Sequence, residues 1–391
     1  MKKTILLILI CMALALCLIA CNKNDASTDT SGETEKVTVT FDAGNEITYE
    51  VTVDKGSTVS APEHTAPIGY DVGGWYLNGQ AWDFEGAVNE SITLVAQYVK
   101  KVTETLTFEQ NGDYYVVTDC GNEETEIFIP EEYNGKPVKE IAPNAFKDND
   151  RITVAVIGNN VEVIGNSAFD GCDNLKTVVI GSSVKTLGDK AFAFCKSIEE
   201  IALPEGIEYI GTKTFKDCSL LTKINLPDSL NYIGEEFLQG CDKVEYEEHG
   251  NSSYINNWLM KCNDNDIREL TIKEGTVGIY SYAFYYFDNL RSITIPSSVK
   301  YIGSHAFFFC YNVTKIELHS ELEYIGMYAF YKCQKATSIV IPASVEFIGM
   351  KAFEGCTKLV INCEAQSEPS TFEKDWNAGK EVNYGYVATE E

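Results

Sequence analysis

Histidine, the side chain that most often carries chemistry, is scarce here. Four occur in 391 residues (His64, His249, His305 and His319), and none belongs to a His-Glu-x-x-His pair. No Gly-x-Ser-x-Gly elbow and no phosphate-binding glycine loop is present. Cys-x-x-Cys is absent too, which removes the usual zinc frameworks. Basic residues are also few: 31 Lys and Arg stand against 58 Asp and Glu, a net charge of −27. Such a surface repels phosphate backbones, so nucleic acid is excluded as a partner. The many carboxylates will fall near one another by chance and do not mark a glycosidase pair. Asp264-Asn265-Asp266 lacks the glycine and the distal glutamate of a calcium loop. These absences predict a protein that is not an enzyme and that has no cofactor and no metal.

What the chain has in plenty is repetition. Ile164-Gly165, Leu187-Gly188, Ile210-Gly211 and Ile233-Gly234 are each 23 residues apart, and the series resumes at Ile279, Ile302-Gly303, Ile325-Gly326 and Ile348-Gly349. A fixed period of this length predicts a solenoid of stacked coils. In residues 290–312, Ile293 and Ile295 alternate as one face of a short strand, and Pro296 ends it. Val299, Tyr301 and Ile302 form a second extended piece, Gly303 permits a bend, and Ser304 can cap a short helical turn carrying Ala306-Phe307 and ending near Cys310. About seven apolar side chains per coil, at roughly 2 kcal/mol each, fall short of the ordering cost of 23 backbones at about 1–2 kcal/mol per residue. A single coil is therefore unstable, and stacking with a cap at each end is obligatory. The caps are read as residues 101–150 and 357–391 of a solenoid spanning 101–391. Tyr254–Cys262 lacks both Ile-Gly and Ala-Phe and reads as one irregular coil.

The consensus L-x-x-I-x-(I/L)-P-x-x-V-x-x-I-G-x-x-A-F-x-x-C resembles the BspA-like class of leucine-rich repeats. That resemblance implies a right-handed parallel β solenoid with short helical turns on one side. It further implies adhesion to host proteins, matrix or other microbes. Upstream, residues 36–100 carry Val39-Thr40-Phe41-Asp42, Gly56, Pro62, Gly69-Tyr70, Gly74-Trp75-Tyr76, Trp82-Asp83-Phe84 and Leu94–Tyr98. This set resembles the internalin B-repeat family (the Listeria–Bacteroides repeat), which implies a small β-grasp-like domain used as a spacer or interaction module. Val72-Gly73 and Tyr98 depart from that pattern. Trp75, Tyr76, Trp82 and Phe84 are expected in its core, because so small a domain needs large side chains.

Lys2-Lys3 followed by an apolar run to Ile19 has the layout of a secretory signal over 1–20. Leu18-Ile19-Ala20-Cys21 resembles a lipoprotein lipobox, which implies cleavage before Cys21, acylation of that residue and lipid anchoring at the extracellular face of a bacterial membrane. Residues 21–35 then form a polar tether. The lipid anchor is the only membrane contact expected.

Cys172, Cys195, Cys218 and Cys241 are 23 apart, as are Cys310, Cys333 and Cys356, with Phe287 in the same column. Like positions in stacked strands lie ~4.7–4.9 Å apart, too far and too parallel for disulfides, so free buried thiols are expected.

The one local excess is aromatic. Tyr282 and Tyr285, His305 and Phe308, and Tyr328 and Tyr331 repeat at one period, and Tyr301, Tyr324 and Phe347 form a parallel column. Stacking would make a ladder of rings. One reading is simple ring-on-ring packing; the other is a site for a protein or glycan partner on host, matrix or other microbes. The expectation taken forward is a lipid-anchored surface protein whose solenoid binds such a partner. A non-specific structural spacer is the alternative, and a glycan-capturing or glycan-degrading accessory a third.

Overall fold

A computed structural model describes residues 34–387 apart from residue 122. The signal segment 1–20, Cys21 and most of the 21–35 tether lie outside the described residues. The chain divides into two units, one from residues up to Thr65 together with Val72–Tyr98, the other from Ala66–Asp71 together with the chain from Val99 onward.

The small unit is a five-stranded sheet of β1 (Lys36–Asp42), β2 (Thr48–Asp54), β3 (Tyr70–Leu77), β4 (Gln80–Ala81) and β5 (Ile92–Lys100), in the order β2-β1-β5-β3-β4. β1 runs parallel to β5 and antiparallel to β2. Val37, Val39, Phe41 and Leu94 alternate into its core, where the Phe41 and Trp75 rings meet edge to face at 4.9 Å. Trp82 and Phe84, partly buried, pack against that core, whereas Tyr76, also expected there, is not among its members. The Asn78-Gly79 turn has both residues at positive φ, 49° and 83°, which is what a tight hairpin between β3 and β4 requires.

In the second unit each coil has three sides. The first strands stack in parallel register, Glu126–Ile129 on Val154–Ile157 on Thr177–Val179, always 23 or 28 residues apart. The second strands do likewise, from Lys136–Ile141 through Val163–Ile164, Thr186–Leu187 and Tyr209–Ile210 to Tyr232–Ile233. The third side corrects the sequence reading. Among the described residues no helix occurs, and the Ala-Phe segment is a run of turns. Ser167, Phe169 and Gly171 donate their amides to Asp189, Ala191 and Ala193 of the next coil, all at 2.8 Å. The intervening Ala168, Asp170 and Cys172 donate three residues back within the turn at 3.1–3.2 Å. An α-helix would bond every amide four residues back and leave none for the neighbour. Left-handed residues at Ser167 (φ 54°) and Gly171 (φ 80°) break the helix and point alternate amides along the stack.

The Ile-Gly glycines are required for a different reason from the bend anticipated. Their φ is not positive. A Cβ on Gly188, Gly211 or Gly303 would lie 2.5 Å from atoms of the preceding coil. Glycine is the residue that lets the coils close up.

Like side chains do lie above one another. Phe192 stacks on Phe215 at 5.5 Å and 4°, and Phe307 on Phe330 at 5.2 Å and 2°. Each thiol of the 23-residue cysteine column donates to the carbonyl of the preceding coil's phenylalanine, as Cys195 Sγ does to Phe169 O at 3.1 Å. The ten described cysteines are free and buried. Burial pushes the Cys172 and Cys310 thiols up to about 12, so they carry no reactive thiolate. At the far end Trp376, 1 % exposed, packs edge-on against Phe353 and closes the column.

The stack is interrupted once. Residues Tyr254–Cys262 are not an irregular coil but part of an antiparallel meander of Glu247–His249, Ser252–Ile255 and Trp258–Cys262. The core accordingly divides into two clusters. The second-strand column ends at Tyr232–Ile233 and restarts beyond Trp258–Cys262 with Gly278–Ile279.

Side chains replace the missing backbone bonds. Ile233 O accepts from Tyr301 OH at 3.1 Å, and Gly234 O accepts from Tyr280 OH at 3.1 Å. Phe237 N donates to the same Tyr280 oxygen at 3.1 Å. Three departures from consensus meet here. Phe237 occupies the alanine column, Tyr280 the glycine column, and Gly278 the tyrosine column, where the Trp258 ring takes the vacated space.

Candidate functional site

The turn side of the second half-stack carries two columns of rings. Tyr285, Phe308 and Tyr331 stack at 5.3 and 4.5 Å with interplanar angles of 14° and 12°. Tyr282, His305 and Tyr328 stack beside them at 4.8 and 5.3 Å. The two columns meet edge to face, for example Tyr282 with Tyr285 at 5.5 Å. Tyr282, Tyr285 and Tyr286 are exposed and the remaining members half-buried.

A third column escaped the sequence reading. Tyr286 and Phe309 lie 4.5 Å apart, Tyr311 is 5.3 Å from Phe309, and Lys332 Nζ lies 5.0 Å over the Phe309 ring. Tyr286 and Phe309 each precede the cysteine column, at a position held in other coils by Gly171, Asp217, Gly240, Lys332 and Gly355 and by one further ring, Phe194. That contrast was the available signal.

Two proposed members do not belong. Tyr301 is 2 % exposed, packed between Trp258 and Tyr324, with its hydroxyl committed to Ile233 O. Tyr324 is half-buried, 4.7 Å from Tyr301 and 5.6 Å from Tyr232. Both sit on the second-strand side and cement the joint between half-stacks. Tyr209 in the same column is 38 % exposed, so the burial of Tyr301 comes from Trp258 and Tyr324 at the joint and not from its place on the strand.

The backbone beneath the ladder is informative. Tyr282 (φ 64°), His305 (58°), Tyr328 (54°), Tyr286 (62°) and Phe309 (63°) are all left-handed. An L-residue there costs roughly 1–2 kcal/mol that glycine does not. Other coils fill the same places with Ser167, Lys190, Lys213, Gly171, Asp217 or Gly240, and with a ring once, at Phe194. The fold therefore needs no ring at these sites.

The ladder is tied at one end to the joint. Tyr282 OH donates to Glu235 Oε2 at 3.1 Å, and His305 Nδ1 lies 3.6 Å from Glu235 Oε1. His305 chiefly, with Tyr282 and Ser304 adding, holds the Glu235 carboxyl below its usual 4.5 against the opposing effect of burial. Burial and Glu235 push the Tyr282 hydroxyl upward. A carboxylate with a depressed folded pKa stabilises above the unfolded value and loses that contribution as pH falls through the folded one. Stability of the chain should thus fall below about pH 4.5 more steeply than that of Glu235→Gln, as measured by denaturant midpoints at successive pH values. Parallel curves for the two proteins would remove Glu235 from the account.

Among the described residues no cluster of three or more His, Cys, Asp or Glu side chains could hold a metal ion. The carboxylates of Asp264 and Asp266 are engaged locally: Asp266 N and Asn251 Nδ2 donate to Asp264, and Asn289 Nδ2 donates to Asp266.

The comparisons agree with this architecture. The model of the BspA type leucine rich repeat region matches residues 139–265 and 257–374, more than half of the chain, and that of the Listeria-Bacteroides repeat domain matches 38–97. No curated protein matches. Solved structures that resemble the chain include a T. pallidum leucine rich repeat protein, 21 % identical over 56 % of this chain and 92 % of that one, with a TM-score of 0.40. A leucine-rich repeat protein from Bacteroides ovatus is 20 % identical over 73 % of this chain and 100 % of that one, with a TM-score of 0.32. A leucine rich cell surface protein from Faecalibacterium prausnitzii is 22 % identical over 73 % and 95 %, also at 0.32. Both repeat types are typical of bacterial surface proteins. The chain belongs to the BspA type leucine-rich-repeat family.

Proposed function

We propose that the chain is a lipid-anchored bacterial surface protein whose solenoid adheres to a protein partner through the ring ladder of Tyr285, Phe308 and Tyr331, flanked by Tyr282, Tyr286, His305, Phe309 and Tyr328. One observation carries this reading: the Tyr285, Phe308 and Tyr331 column is filled in other coils by Asp170, Ala193, Lys216, Gln239 and Glu354, and the flanking Tyr282, Tyr286, His305, Phe309 and Tyr328 sit at strained left-handed positions. The anchor rests on Leu18–Cys21 alone. The acidic surface keeps the chain apart from anionic neighbours, which leaves the apolar ladder as the adhesive patch.

A protein partner is favoured over a glycan by ring orientation. Sugar rings seat on aromatic faces, whereas here the faces of Phe308 are covered by Tyr285 and Tyr331 and edges point outward. Edges and hydroxyls suit apolar side chains and backbone carbonyls of a protein surface. A non-specific spacer would have no use for rings at these sites.

The test is binding to an array of matrix and host proteins beside an array of glycans, for the parent chain and for the Tyr285→Ser, Phe308→Ser, Tyr331→Ser triple variant. Hot-spot losses of about 2–4 kcal/mol predict at least ~30-fold weaker protein binding by the variant, with the fold intact by circular dichroism. Equal binding by both proteins, or binding to glycans alone, would refute the proposal.

A further inference from the structure

We infer that the interruption of the stack leaves a slot for one extended peptide strand, built for a segment of another protein that is apolar and β-branched in the middle and cationic at its ends. The strand Lys223–Ile224 pairs with Glu200–Ile201 on one side and with no strand on the other. The chain that should lay the next rung beside it departs at Tyr246 to begin the antiparallel meander.

The slot has defined ends. Glu245 N donates to Thr222 O at 2.9 Å, the last backbone bond before the departure. Beyond the strand, Asn256 Oδ1 accepts from Leu226 N at 2.8 Å, a side-chain amide standing where a neighbouring strand's carbonyl would lie. Between these two bonds the edge of residues 223–225 has no strand beside it.

Burial marks the same vacancy independently. Residues at the matching inward position of other coils are 0–9 % exposed: Ala155 0 %, Val178 9 %, Ile201 4 %, Ile293 6 % and Ile339 1 %. Ile224 and Leu270, which flank the interruption, are only half-buried. Beside Ile224 lies a groove of about 630 Å³ whose floor includes Ile201, Tyr246, Tyr254 and Ile255. An apolar side chain on an added strand would restore the cover that every other rung enjoys.

Charge selects the flanks. Glu200, Glu245 and Glu247 stand exposed on the rim. Glu200 pairs with Lys223 at 2.7 Å and Glu247 approaches Lys273 at 3.9 Å, while Glu245 has no ion-pair partner among the described residues. Lysine or arginine at the ends of the incoming strand would meet this rim. Strand addition supplies affinity through backbone bonds and specificity through alternate side chains. The slot lies on the first-strand side and is independent of the ring ladder.

The probe is a synthetic peptide, acetyl-Lys-Arg-Val-Thr-Val-Thr-Lys-amide, titrated into the full chain by calorimetry, with amide hydrogen exchange read in parallel. Binding should slow exchange at Lys223–Asn225 and in no other strand. The same peptide N-methylated at alternate residues should bind at least about tenfold more weakly, since it cannot complete the ladder. The paired rim variant Glu245→Lys, Glu247→Lys, which leaves the core untouched, should weaken binding by at least about fivefold at low salt. The Tyr285→Ser, Phe308→Ser, Tyr331→Ser variant should bind the peptide as the parent does, which separates this proposal from the preceding one. Absence of binding at millimolar peptide, equal binding of the N-methylated peptide, or protection confined to other strands would overturn it. Self-association of the chain that shields 223–225 would also overturn it, by giving the slot to a second copy.

Discussion

Replacing Gly326 by alanine will lower the stability of the second half-stack by about 3 kcal/mol, the upper range for overpacking. The added methyl would lie 2.3 Å from Ser304 N and 2.6 Å from the Gly303 carbonyl carbon. Both are backbone, so no side chain can rotate aside. Gly326 N also donates to Ile302 O at 2.8 Å, one of the bonds that hold successive coils together, and widening the gap stretches it. Because Gly326 does not have positive φ, alanine adopts its conformation without strain, and the whole effect is contact. Gly112→Ala is the control. Its surroundings are open but its φ is +61°, so about 1–2 kcal/mol of backbone strain is expected and nothing more. Denaturant midpoints of the two variants against the parent decide it; equal losses would mean that coil contact is not what selects glycine.

Trp258→Ala will be at least as damaging, at about 3–5 kcal/mol for a fully buried ring. Trp258 is 1 % exposed, 5.3 Å from the Tyr301 ring, and belongs to the core of the first half-stack although its strand pairs with the second. Its loss removes the wedge between the halves. Unfolding should then separate into two transitions, because repeat arrays are held by nearest-neighbour contacts and at the joint side chains replace strand pairing. A partner mutation sharpens the test. Gly278→Tyr restores the column residue but drives its Cβ to 2.4 Å from the Trp258 ring, so alone it destabilises. Combined with Trp258→Ala it should recover about 1–3 kcal/mol through coupling of the two sites. Additive losses, or a single unfolding transition in Trp258→Ala, would contradict the wedge.

The regular coils were legible because every residue of a column meets the same surroundings. Phe192, Phe215, Phe307 and Phe330 recur at one period and stack within 4° or less in each half. Cysteine followed the same logic: a slot that also accepts Phe287 is apolar, and its thiols are buried and free. The ladder of Tyr282, Tyr285, His305, Phe308, Tyr328 and Tyr331 could be listed in advance on the same grounds. Tyr301 and Tyr324 could not be assigned, since their periodicity is as good but their side of the coil faces inward at the joint.

The turns were misjudged for a local reason. Gly-x-x-Ala-Phe matches the spacing of a helical turn, and only the left-handed residues at two places per coil show that alternate amides serve the neighbouring coil. Ser, Lys, Tyr and His in those places gave no warning, because left-handed backbone is a property that stacking imposes rather than one these side chains prefer.

The repeat length, the columns and the need for stacking follow from the sequence, for they depend on burial that each coil repeats with its nearest neighbour. The interruption was visible in the sequence only as Tyr254–Cys262 lacking the repeat motifs, and the departures at Phe237, Gly278 and Tyr280 gained their meaning from the structure. What they do was decided by tertiary structure: residues more than 40 positions apart meet there, so that Tyr280 closes on Gly234 and Phe237 and Tyr301 on Ile233. A carbonyl left without a rung must find a donor somewhere, and no one-dimensional pattern states which hydroxyl will arrive.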